Sequence, residues 1–188
     1  SAFPEIIDST KGDAVIDGEL LVGRNFKPSG FNDLQQRLNR KKASKDLQKK
    51  FPVFIRAYDI LFYKGKDLRK LSLVERRKYL EKFQKENTTN QIDLSTIINF
   101  ATWEELTKYK NNFYDDLNEG VMIKLKNSEY LPGRKKGFWY KWKKNPKLVD
   151  AILMYAQRGH GTRSSDYSDF TVGVWKEKEV VPSGKAYS

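Results

Sequence analysis

The chain has 188 residues, of which 36 are Lys or Arg, 24 are Asp or Glu and none is cysteine, for a net charge of +12. Without cysteine there is no disulfide framework, thiol nucleophile or thiolate-held zinc, and the single histidine, His160, excludes a multi-histidine metal site. Aromatic residues at 13% argue for a folded core, while no run approaches the roughly 20 apolar residues that span a bilayer and no leader pattern opens the chain. A cytoplasmic protein with an anionic partner and no membrane is the first expectation.

In chain order, residues 14–22 read as a strand with apolar residues on both sides of Asp17-Gly18-Glu19. Two carboxylates inside a strand are costly unless they are paired or bind a metal, so this conflict marks a candidate site. Residues 31–50 read as a basic helix, with Leu34 and Leu38 four apart and Asn32 as cap. Residues 52–63 form a long strand, closed by a turn at 64–67 around Gly65. A helix over 72–85 opens with a capping box, Ser72 to Glu75. A short strand over 92–98 precedes a helix over 103–113, capped by Thr102 with Glu105 three residues on. Residues 120–125 and 137–143 alternate as strands. Beyond a boundary near 144–148, strands at 149–156 and 170–175 flank a polar, glycine-rich turn at 157–165.

Three sets of residues suggest chemistry. The basic tract Arg134, Lys135, Lys136, Lys141, Lys143, Lys144 and Lys147 holds no acidic residue and is interleaved with Phe138, Trp139, Tyr140 and Trp142. On a strand, Lys141 and Lys143 share one face, where two ammonium groups repel unless an anion lies between them; phosphate is the natural candidate. The bland alternative is a solvated basic strand with its rings packed inward. Glu19 and Glu119, each beside a glycine at a strand edge, add carboxylates suited to Mg²⁺ or ribose hydroxyls; alone, each also reads as an ordinary strand-end residue. Together with the lysines they would form a pocket with separated positive and negative ends. Tyr58, in an apolar strand, is a candidate for stacking on a base or a core tyrosine with its hydroxyl at the rim. The loop holding Arg158 and Arg163 has hydroxyls and free amides suited to a nucleic-acid backbone.

Taken in order, these pieces resemble the adenylation core of bacterial ATP-dependent DNA ligases, members of the covalent nucleotidyltransferase superfamily. Asp17-Gly18-Glu19 is similar to the family's third motif. Arg56-Ala57-Tyr58-Asp59-Ile60-Leu61, with Gly65 and the run from Leu71 to Arg77, resembles the next. Glu119-Gly120-Val121-Met122-Ile123-Lys124 resembles the fourth, and the run from Tyr130 to Lys143 the fifth. Val149 to Gly161 resembles the opening of the ligase OB domain. The resemblance implies an α+β fold: a partial antiparallel-sheet adenylation domain over 1–147, followed by the first hairpin of an OB-fold β-barrel over 148–188.

The same resemblance implies roles. Tyr58 stacks on adenine, Glu19 contacts ribose or metal, and Glu119 helps hold a divalent metal. Lys141 and Lys143 bind the α-phosphate, while Arg134, Lys135, Lys136, Arg158 and Arg163 face DNA. ATP, carried as AMP, and Mg²⁺ are the implied cofactors, and nicked double-stranded DNA in a nucleoid-associated setting is the implied partner, with no obligate protein partner. The family's nucleophile lies in a Lys-x-Asp-Gly string, whereas Val15 stands where that lysine would precede Asp17-Gly18. The chain is therefore expected to be a ligase fragment that does not adenylate itself. An RNA ligase or a capping-type nucleotidyltransferase shares this logic, and a non-catalytic basic nucleic-acid-binding module is the reading from another class.

Overall fold

The computed structural model describes residues 1–112, 118–133, 135–145, 148–159 and 161–187, without the Arg163 side chain. The calls on Arg134, on Lys147 and on the Arg163 side chain lie outside the described residues. The elements in order are α1 (Pro4–Ser9), β1 (Ala14–Arg24), β2 (Lys27–Pro28), α2 (Phe31–Gln35), α3 (Lys45–Lys50), β3 (Val53–Tyr63), β4 (Lys66–Asp67), α4 (Leu73–Glu86), β5 (Ile92–Leu94), α5 (Trp103–Asn111), β6 (Gly120–Lys124), β7 (Trp139–Lys143), β8 (Ile152–Arg158), β9 (Tyr167–Lys176) and β10 (Glu179–Tyr187). This is a mixed α+β fold of antiparallel and mixed sheets. It divides into two compact units, Ser1–Lys144 and Asn145–Ser188.

The first unit is organised by β3. Its residues Val53, Phe54, Ala57, Ile60 and Tyr63 are buried, and it pairs antiparallel with β1 and β4 and parallel with β5. One face packs against α4, where Leu80 and Phe83 join Ala57, Ile60, Tyr63, Leu68 and Ile92 in one core. Helix α4 starts where its capping box predicts: the Ser72 hydroxyl accepts from the Glu75 amide, and the Glu75 carboxylate accepts from the Ser72 amide at 3.0 Å. Four orphan N–H groups are thus reduced by two at the helix start. Thr102 likewise caps α5, accepting from Glu105 N at 3.2 Å.

The expected helix over 31–50 is instead two short helices, and Gly30 rather than Asn32 stands at the first N-cap. The break has a physical cause. Arg37 is fully buried, and its guanidinium donates to both Glu5 carboxylate oxygens (2.7 and 3.0 Å) and to the carbonyls of Phe51 (2.6 Å) and Ala2 (2.7 Å). Asn39 takes a left-handed φ of 59° in the turn that follows the first helix, and Ser44 begins a new one by accepting from Leu47 N.

The second unit is a three-stranded antiparallel sheet, β10-β9-β8. The expected hairpin therefore gains a third strand. Pro182, Ser183 and Gly184 look like turn residues, but the sheet absorbs them in a register shift between Pro182 and Gly184. The turn expected at 157–165 begins later, since Gln157 and Arg158 extend β8.

Among the described residues, no helix is long and apolar enough to cross a membrane.

Candidate functional site

The site lies where the β6–β7 hairpin meets β1 and β3. The register pairs Lys124 with Trp139, Met122 with Lys141, and Gly120 with Lys143. Because side chains alternate along a strand, Trp139, Lys141 and Lys143 share one hairpin face with Lys124 and Met122. The other face carries Trp142, which meets Trp103 of α5 at 6.3 Å between ring centroids and the Lys110 ammonium at 4.7 Å.

Two glycines permit this geometry. Gly18 lies so close to β3 that an added Cβ would stand 2.8 Å from the Arg56 carbonyl oxygen and 2.8 Å from Ile55 Cγ2. Gly120 has φ +149°, and a Cβ there would come within 2.2 Å of the Trp142 carbonyl oxygen. The glycine beside each candidate glutamate is thus fixed by backbone approach across the pair.

The expected residues are partly brought together. Glu119 meets Lys143 at 2.8 Å, and this contact, with the Lys141 charge in support, holds its carboxyl below the usual range. The positive and negative ends expected to be separate therefore touch. Lys141 is exposed on the same strand. Glu19 lies in the middle of β1, not at its edge, exposed and opposite Arg56. Arg56 pairs with Asp93 instead, at 3.0 Å, and Glu19 has no ion pair among the described residues.

Tyr58 is half-buried on β3 beside a register shift opposite Asp17 and Gly18. Its hydroxyl donates to Asp17 Oδ1 at 2.9 Å, and the Tyr130 hydroxyl donates to Asp17 Oδ2 at 2.7 Å. Burial, then this carboxylate, raises the pKa of Tyr58 and pushes that of Tyr130 up to about 12. Trp139 meets Tyr58 and Tyr130 edge to face, at 6.1 and 5.8 Å between ring centroids. The Lys124 ammonium stands 3.9 Å from the Tyr58 ring centre and 3.8 Å from that of Trp139. The Tyr58 ring is thus not a bare platform: an ammonium already covers one face.

Sequence reasoning gave no site role to Lys124, Tyr130 or Trp139, and marked Asp17 only as part of Asp17-Gly18-Glu19. One signal was Asp17's carboxylate inside an apolar strand, to which two tyrosine hydroxyls donate.

Burial pushes Lys124 down to about 8, with the Asp59 and Asp17 charges opposing. In the unfolded chain the amine keeps its proton to about 10.4. Between about pH 8 and 10 the unfolded state therefore binds more protons, and stability rises with pH. Tyr58 and Tyr130 act in the opposite direction, but only near and above pH 10. Urea unfolding at pH 7.5 and 9.5 is expected to show a gain on the order of 1 kcal/mol. Lys124→Met is expected to abolish it, and a fall over that range would contradict this placement of the amine.

Among the described residues, no three His, Cys, Asp or Glu side chains cluster to hold a metal unaided. Mg²⁺ commonly takes one or two carboxylates and completes its shell with water and substrate phosphates. The exposed carboxylate of Glu119, beside two lysines that suit phosphate, fits that mode and not a protein-only cage.

The family model described as ATP dependent DNA ligase domain matches residues 2–143. A probable DNA ligase of Koribacter versatilis is 30% identical over 211 residues, covering 100% of this chain and 37% of that protein. A DNA ligase of Archaeoglobus fulgidus is 32% identical over 174 residues, covering 90% and 31%. The chain thus spans about a third of the length of these relatives. A solved Lig E DNA ligase, from work on DNA binding with a minimal scaffold, superposes with a TM-score of 0.70 at 17% identity, covering 92% of this chain and 61% of that one; at that identity the likeness concerns the fold. With its motifs in order and three quarters of its length matched by the family model, the chain belongs to the ATP-dependent DNA ligase domain family.

Proposed function

We propose that this chain is the nucleotide- and DNA-binding part of an ATP-dependent DNA ligase that seals nicks in duplex DNA through lysyl-AMP and DNA-adenylate intermediates. Residues 1–147 serve as a partial adenylation domain, and 148–188 open an OB-fold barrel. The observation that carries this reading is the β6–β7 hairpin. One of its faces presents Lys141 and Lys143, with Glu119 at its end, and the same face carries the Trp139 that touches Tyr58.

In this reading Tyr58 stacks on adenine, which requires Lys124 to yield the ring face it covers. Lys141 and Lys143 neutralise the α-phosphate, and Lys143 exchanges its contact with Glu119 for one with a phosphate oxygen. The released Glu119 carboxylate would hold Mg²⁺, and Glu19, with no ion pair among the described residues, would contact ribose or the metal. Bound Mg²⁺ would supply charge neutralisation at the phosphates. Phosphoryl transfer of this kind depends mainly on positioning and electrostatics. Lys135, Lys136 and Arg158, all exposed, together with Arg134 and Arg163, face the DNA backbone.

The attacking amine belongs to a Lys-x-Asp-Gly string, which these 188 residues do not contain. Incubation with α-labelled ATP and Mg²⁺ is therefore expected to leave the chain unlabelled. A stable covalent adenylate on it would contradict the proposal.

A further inference from the structure

The stretch 39–50 carries six exposed cations, Arg40, Lys41, Lys42, Lys45, Lys49 and Lys50, against one exposed carboxylate, Asp46. Among the described residues, none of the six lies within 4.0 Å of a carboxylate oxygen. Lys45 and Lys49 stand one turn apart on α3, an arrangement in which like charges repel. A cluster of this kind is unfavourable until an outside anion neutralises it.

The backbone beneath these cations is held firmly. Arg37 is buried and ties the segment to Glu5, Ala2 and Phe51, and Ala43 is 3% exposed. Ser44 caps α3, and the Gln48 side-chain amide donates to the Ala43 carbonyl at 3.0 Å. Arg24 donates to the Lys49 carbonyl at 2.5 Å. The charges are therefore displayed from a fixed scaffold, not from a solvated tail.

The surface also restricts its partner. No exposed residue in 39–50 is apolar. A bilayer-seeking segment needs an apolar face to insert, and a protein interface needs buried apolar or aromatic anchors. A surface of six cations against one carboxylate, with no apolar anchor, fits a polyanion, whose backbone is bound by neutralisation with release of counterions.

We propose that Arg40, Lys41, Lys42, Lys45, Lys49 and Lys50 form a second phosphate-backbone surface for duplex DNA, separate in sequence from Lys135 and Lys136. It rests on the ligase reading of the chain and adds a grip remote in sequence from the nucleotide residues. Backbone contacts of this kind position a duplex without reading its bases.

The test measures affinity of the full 188-residue chain for a nicked duplex as a function of salt. The triple variant Lys41→Gln/Lys42→Gln/Lys45→Gln is compared with Lys135→Gln/Lys136→Gln, and circular dichroism confirms that each is folded. The triple variant is expected to bind at least tenfold more weakly at low salt and to lose about 0.9 from the log–log salt slope for each contact removed, equally for unrelated duplex sequences. Unchanged affinity and slope would overturn the proposal. So would a salt dependence abolished entirely by Lys135→Gln/Lys136→Gln, or loss of binding to phosphatidylserine vesicles with DNA affinity intact. If the unsubstituted chain shows no salt-dependent DNA binding at all, the ligase reading fails first and this surface with it.

Discussion

Arg76→Ala is expected to destabilise the 1–144 unit by about 3–5 kcal/mol, the usual cost of stranding one member of a buried ion pair. Both Arg76 and Asp59 are fully buried. The guanidinium donates to Asp59 Oδ1 at 2.8 Å and Oδ2 at 2.9 Å, and also to the carbonyls of Leu71 (2.6 Å) and Ser128 (3.0 Å). Removing it takes the counter-ion from the buried Asp59 carboxylate, whose remaining donor among the described residues is the Ile60 amide, and takes the guanidinium from the Leu71 and Ser128 carbonyls. The loss reaches the site, because Asp59 follows Tyr58 on β3 and Ser128 lies two residues before Tyr130. Equilibrium urea unfolding measures the effect. Asp59→Leu/Arg76→Leu is expected to recover much of the stability, since burying neither charge removes the desolvation cost. A loss below about 1 kcal/mol for Arg76→Ala would show that the pair does not hold the helix to the sheet.

The second large effect concerns binding. Lys141→Ala/Lys143→Ala is expected to lower ATP affinity by about 100-fold, because each lysine removed forfeits a charge-assisted contact to phosphate. Fold stability is expected to stay nearly constant, since both side chains are exposed and the pair with Glu119 is solvent-screened. Tyr58→Ala provides the contrast. Removing the stacking ring is expected to weaken ATP and adenosine alike, by roughly tenfold. A split of this kind separates phosphate recognition from base recognition.

Much of the architecture was legible because it is local. The capping box at Ser72 and Glu75, the apolar run of β3 and the alternation of β7 each follow from neighbouring residues, and so did the pairing of Lys141 and Lys143 on one face. The central cluster was not legible. Asp17 accepts from hydroxyls 41 and 113 positions away, and the Lys124 ammonium reaches Tyr58 only because the hairpin docks on β1 and β3. No periodicity encodes such meetings. The break in 31–50 was hidden for a related reason: Arg37 lies in a basic run, and only its partners at Glu5, Ala2 and Phe51, distant in sequence, take it into the interior. The third strand of the second unit was hidden by Pro182 and Gly184, which signal a turn unless a neighbouring strand absorbs them as a bulge.

The central claim is that Tyr58 and the β6–β7 hairpin together form one nucleotide site. Calorimetric titration of the 188-residue chain with ATP and with adenosine, in the presence of Mg²⁺, tests it most directly. The account predicts saturable ATP binding that Lys141→Ala/Lys143→Ala weakens without changing adenosine binding, and that Tyr58→Ala weakens for both ligands. ATP binding that neither variant alters, or no binding by the unsubstituted chain, would contradict it.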